Sequence, residues 1–136
     1  MSKKPRKRSE HGFTLLELLV NVGILGILAS MAISTYRTYR LRGYEATAIV
    51  FMRNWPAAQE MYLQTYGHYA DADEQLETLG LLKVPKKVPY DFSVDSSSAA
   101  TERWWGRANP TKGGLRYFYI DYRGNLLSSM SGPPMP

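Results

Sequence analysis

Cysteine is absent from the 136 residues. No disulfide, thiolate metal site or cysteine nucleophile is therefore available, and the compartment stays open because a secreted chain need not carry a disulfide. Histidine is almost as scarce: His11 and His68 are the two present, too few to build a metal site. Paired carboxylates, a nucleophile–base set and a glycine-rich phosphate loop are also missing, which argues against an enzyme and against a bound cofactor. The acidic run Asp71 to Glu74 lacks the spacing, the glycine and the well-placed bidentate acid of a calcium loop. It reads as a solvated helix start.

What the chain does carry is unevenly distributed. Its formal net charge is +5. Lys3, Lys4, Arg6, Lys7 and Arg8 stand against Glu10 alone before Gly12, and the 12 basic and 11 acidic side chains beyond nearly cancel. The basicity belongs to the head, so it says little about nucleic acid if that head is removed.

Directly after the head come the 21 residues from Phe13 to Ile33, whose one charged side chain is Glu17. As a helix they span about 31 Å, enough for a bilayer core of roughly 30 Å. Arg37, Arg40 and Arg42 follow the segment, but the five leading cations still favour a cytoplasmic N-terminus. A secretory signal peptide has the same outline, and "LASMA" offers a small-residue cleavage site at Ser30. Its apolar region is ordinarily shorter.

Beyond Ile33 the pattern becomes amphipathic with no break signal. Tyr44, Ala48, Phe51, Trp55, Ala58, Tyr62 and Tyr66 recur at steps of 4, 3, 4, 3, 4 and 4, one helical face, while Glu45, Arg53, Gln59, Glu60 and Gln64 fall mostly elsewhere. One helix from Phe13 to about Tyr66 is expected, ended by Gly67, with a kink or break near Asn54 because Pro56 offers no N–H to the Met52 carbonyl. A connector follows, with a helical turn at Asp73 to Leu79 stopped by Gly80. Then "YDFSV", "TERWW" (bounded by Gly106 and Pro110), "LRYFYID" and "LLSS" read as short strands, the last two joined at "YRGN" as a hairpin. The fold class expected is α+β: a long N-terminal helix whose C-terminal half packs on a three- or four-stranded antiparallel sheet, followed by a frayed tail, "SGPPMP".

The residues "GFTLLELLV" with "ILGILASMAIS" resemble the class III signal sequence of type IV pilins and pseudopilins, closely over Gly12 to Tyr39 and by arrangement beyond. The resemblance implies a cleaved leader (residues 1–12), a hydrophobic membrane and filament-core helix (13–36), and a globular part (37–136) that begins with the amphipathic half of the helix. It implies a prepilin peptidase cutting between Gly12 and Phe13, N-methylation of Phe13, and a role for Glu17 in assembly. The subunit would wait in the inner membrane, meet an assembly platform and join other pilin subunits in an extracellular filament. Ser34 stands where many members carry proline, a departure that favours a more continuous helix.

Elementary physics gives Glu17 a matching role. A carboxylate at the centre of a bilayer costs about 2.5–3.5 kcal/mol on insertion scales. Pairing with the Phe13 ammonium of a neighbouring helix offsets that cost and fixes axial register. Gly26, Ser30 and Ser34, spaced i, i+4 and i+8, form a stripe that lets helix backbones approach closely.

Two further features are weighed. Ten tyrosines, four phenylalanines and three tryptophans raise stacking on nucleic acid or electron hopping, but aromatics alternating in short strands more often form core and cross-strand pairs. Lys83, Lys86, Lys87, Arg103, Arg107, Lys112 and Arg116 are candidates for a basic face suited to DNA, against a solvated polar edge. The reading that results is a structural subunit of a type IV pilus. The alternatives are a type II secretion pseudopilin, a minor pilin of a DNA-uptake pilus, and a single-pass anchored binding domain that never polymerises.

Overall fold

A computed structural model describes residues 13–95 and 103–132. The leader, with Gly12, lies outside the described residues. The chain divides between Thr38 and Tyr39 into two units, through both of which runs the first helix, α1 (Leu15–Tyr66).

In the first unit α1 starts at a side-chain cap. Thr14 precedes the helix, its carbonyl accepts the first helical bond from the Leu18 amide (3.1 Å), and its Oγ1 accepts from the Glu17 amide (3.2 Å). Residues 15–38 expose their side chains throughout.

The second unit opens with the amphipathic half of α1, which buries Ala48, Phe51, Met52, Trp55, Ala58, Gln59 and Tyr62. Most of the expected face is there, with two corrections at its margins. Tyr66 is 49 % exposed and stacks on Tyr62 with ring centroids 4.5 Å apart. Gln59, placed by its polarity on the solvent side, is fully buried. Its Nε2 donates to the Ala70 carbonyl (3.1 Å) and its Oε1 accepts from the Ala70 amide (2.8 Å). A side-chain amide thus mimics a strand partner for one residue of the connector, which makes its burial tolerable. Of the kink or break expected near Asn54, the break does not occur. α1 passes through Pro56 as helix, because the missing donor affects one carbonyl while Met52, Trp55, Ala58 and Gln59 on either side are anchored in the core.

Gly67 ends α1 in the left-handed conformation (φ +78°), with its amide bonded to the Leu63 carbonyl (2.8 Å), a geometry that favours glycine. The short α2 (Asp73–Thr78) follows and buries Leu76. Four strands complete the unit: β1 (Tyr90–Asp95), β2 (Trp105–Pro110), β3 (Tyr117–Asp121) and β4 (Leu126–Ser129). They form an antiparallel meander in the order β1-β2-β3-β4. β2 begins where "TERWW" ends and takes in Gly106 and Pro110, the two residues expected to bound it. Pro110 is tolerable as the last residue of the strand, where the Thr111 amide continues the pairing to the Pro89 carbonyl (3.0 Å).

One sheet face carries Phe92, Gly106, Ala108, Phe118 and Ile120 to the core beneath α1. Phe51 meets Phe92 edge-on at 4.5 Å and lies 5.3 Å from Trp55, a separation at which aromatic pairs add to simple burial. The β3–β4 turn is held by Asp121, whose Oδ1 accepts from the amides of Arg123 (2.9 Å) and Asn125 (2.8 Å), while Gly124 supplies φ +81°. Burial acts to raise the Asp121 pKa. The side-chain and backbone bonds from Asn125, the Arg123 amide and the Arg123 charge outweigh it, and the net shift is downward.

Candidate functional site

The described residues of the first unit, 13–38, bury none of their side chains. Its apolar window has a mean hydropathy of 2.1 with 0 % buried, and Leu15, Leu16, Leu18, Leu19, Ile27 and Met31 are each at least 58 % exposed. A continuous apolar surface of this size requires lipid or other helices around it.

Polar groups on this helix are few and mostly self-satisfied. The Ser30 hydroxyl donates to the Ile27 carbonyl (2.7 Å), Thr35 to Met31 (3.1 Å), and Thr38 to Ser34 (3.3 Å). Glu17 differs. Its amide is capped by Thr14, and its carboxylate stands in the first turn, where the amide dipoles favour negative charge. Among the described residues that carboxylate has no ion-pair partner. Thr14-Leu15-Leu16-Glu17 has the spacing of a capping box, a local signal that the sequence reading passed over in favour of the longer apolar pattern.

Phe13 lies just before the helix and is 75 % exposed. Gly26, Ser30 and Ser34 share one face at successive turns, and a Cβ added at Gly26 meets nothing within 4 Å. The geometry therefore offers an acid at a helix start, a small-residue stripe, and apolar surface on all sides.

The basic residues singled out in the sequence stand in different local settings. Arg116 is committed: its amide donates to Glu45 Oε1 (3.2 Å) and its Nε lies 4.0 Å from the same oxygen. Arg107 is half-buried on the outer face of β2, in register with Ser93 and Tyr119. Arg103 lies over the Tyr122 ring at 5.8 Å. Lys83 and Lys112 are exposed, and Lys86 and Lys87 border a groove with Arg40 and Tyr44. Among the described residues no three His, Asp or Glu side chains gather as metal ligands.

Comparison with known proteins agrees with these features. Residues 7–33 match the prokaryotic N-terminal methylation motif. The chain is 34 % identical over 92 residues to the type IV wide pilus major component PilA4 of Thermus thermophilus, covering 68 % of this chain and 69 % of that one. It is 32 % identical over 62 residues to the type IV major pilin PilE1 of Neisseria gonorrhoeae, covering 46 % of this chain and 38 % of the relative. With the type IV major pilin PilA of Myxococcus xanthus it shares 34 % identity over 67 residues, 49 % of this chain and 29 % of that one. The match thus spans about two thirds of the Thermus protein and well under half of the other two. A leader motif, a capped apolar helix with one acid in its first turn, and an α+β globule come together in one known kind of protein: the chain belongs to the type IV pilin family.

Proposed function

We propose that this chain is the structural subunit of a type IV pilus, made as a prepilin and polymerised through α1. A prepilin peptidase cuts between Gly12 and Phe13, the new amine of Phe13 is N-methylated, and the subunit rests in the inner membrane with its N-terminal side toward the cytoplasm. An assembly platform then moves it into an extracellular filament. The single observation that carries this reading is the Glu17 carboxylate in the first turn of α1, which has no ion-pair partner among the described residues and stands on a stretch, 15–38, whose side chains are all exposed. Removal of the leader would eliminate all five leader cations and leave one cation, the Phe13 amine, at the start of that helix.

In a bundle of such helices, Glu17 of one subunit receives the Phe13 amine of the next. The exchange replaces water or headgroups around both charges with each other. Its main return is register, because a helix with one acid and one terminal amine cannot slide against its neighbours without separating them. The stripe of Gly26, Ser30 and Ser34 lets backbones close in alongside that pair. Relatives named as major pilus components support the same role.

Two measurements test the proposal. Mass spectrometry of the purified protein is expected to find a methylated Phe13 as first residue, and a chain still beginning at Met1 would refute the processing. Glu17→Ala is expected to abolish filaments while the processed subunit still accumulates in the membrane. Filaments at parental abundance would remove Glu17 from assembly.

A further inference from the structure

Within the second unit, Arg40, Tyr44, Lys86 and Lys87 rim an open groove of about 630 Å³ whose floor is formed by Gly43, Thr47 and Val88. Three cations converge here, and their charge is not neutralised locally. Lys86 and Lys87 have no acidic partner among the described residues, and Glu45, the acid adjoining Tyr44 in sequence, is engaged by Arg116. Arg40 is held over the groove, with its Nε donating to the Tyr44 hydroxyl (2.8 Å) and its guanidinium 5.5 Å from the Tyr44 ring centroid. This preorganisation leaves the other guanidinium nitrogens free to meet a carboxylate.

The opposite charge lies at the far end of the same half-helix. Tyr62 and Tyr66 border a second hollow with Glu74, Gln75 and Leu79 of the α2 region. Asp73, the first residue of α2, is half-buried, and Glu74 and Glu77 are exposed. Their charges are felt mutually: burial first, then the fields of Glu74 and Glu77, push the Asp73 carboxyl upward. Tyr44 and Tyr62 lie about 27 Å apart along α1 at the standard rise, so a single subunit cannot bring its own α2 into its own groove.

We propose that the Arg40–Lys86–Lys87 groove receives the Glu74/Glu77 edge of α2 from a second copy of this chain. The contact joins different patches of two identical molecules; made between subunits aligned in parallel along a filament, it is head-to-tail and propagates with the polymer. It rests on the pilus-subunit reading, to which it adds a charge-matched contact between globular parts, separate from the Glu17 pair. Being partly exposed, it acts more on subunit choice and register than on raw affinity, and it weakens with salt.

Charge reversal tests it in the full chain. Lys86→Glu with Lys87→Glu is expected to lower the yield of sheared filaments by about tenfold or more, since like charges then face each other. Glu74→Lys with Glu77→Lys is expected to do the same, and the four changes together to restore the yield. Because the parent has no cysteine, Lys87→Cys combined with Glu74→Cys gives an independent reading. Oxidation of intact filaments should produce a ladder of linked subunits, and either change alone should not.

Parental yield from both reversals, or a failed rescue together with no ladder, would overturn the contact. Lost binding to nucleic acid or to anionic lipid vesicles with filament yield unchanged would overturn it as well, and assign the groove to that ligand. Absence of filaments from the parental chain would overturn the pilus reading itself, and with it this contact.

Discussion

The six-membered ring of Trp55 lies against the backbone of Gly106. A Cβ placed on Gly106 would sit 2.6 Å from Trp55 Cε3 and 2.7 Å from Cζ3, with Ile120 Cγ2 at 3.1 Å. Trp55 is fully buried and meets Phe51 and Phe92 as well. This close approach of helix to sheet is therefore built on the absence of a side chain.

Gly106→Ala follows directly as a destabilising change. The ring cannot swing aside in a packed core, so the extra methyl has to displace β2 or α1. The expected cost is about 1–3 kcal/mol, measured by denaturant unfolding of the detergent-solubilised chain. Trp55→Phe costs stability alone but should recover part of the loss when combined with Gly106→Ala, since the smaller ring leaves room. Strict additivity in that double-mutant cycle would show that the two residues do not press on each other.

Gln59 offers a second test. Gln59→Leu keeps the volume but strands both the Ala70 amide and its carbonyl in a fully buried position. Leaving a buried group unsatisfied costs about 1–3 kcal/mol, and two are left unsatisfied by this change. Unfolding should reveal a loss of about 2–6 kcal/mol. Hydrogen exchange at the Ala70 amide should accelerate more than exchange at the core amides of β2 and β3. Unchanged protection at Ala70 would mean that the clamp contributes nothing.

The third prediction concerns alkaline pH. Tyr90 donates its hydroxyl to the Arg116 carbonyl (2.9 Å), and burial first, then the Glu45 charge, push its pKa up to about 12 from the ordinary 10.0 of a tyrosine. The folded state thus prefers the neutral phenol more strongly than the unfolded chain does. That contribution is complete below pH 10 and is lost as pH rises through 12. Tyr90→Phe should be less stable than the parent near neutral pH, and the gap should shrink between pH 10 and 12. A gap that stays constant over that interval would separate the hydroxyl from the pH dependence.

Sequence pattern located the elements better than it described their contacts. The apolar stretch, the face from Ala48 to Tyr62, the stop at Gly67 and the hairpin at "YRGN" all follow from local periodicity and turn chemistry, which act over a few residues. Gly106 misled because glycine reads as a boundary, whereas here its missing Cβ is demanded by a tryptophan about fifty positions away. Gln59 misleads for the same kind of reason. It looks solvent-facing until a partner outside its helix, Ala70, is brought beside it. For the candidate site, Glu17 is conspicuous because a charge in an apolar run is improbable, while the cap at Thr14, whose Oγ1 accepts from the Glu17 amide, is overshadowed by that run.

The hydroxyls of Ser30, Thr35 and Thr38 each close onto a carbonyl of their own helix. The N-terminal helix is consequently indifferent to its surroundings in one respect. Moving it from one apolar environment to another requires no hydrogen bond of these three residues to be broken and none to be found. Such a rod crosses between phases without rewiring these hydroxyls, and Glu17 is left as the charged side chain of its apolar run, whose comfort depends on the company it keeps.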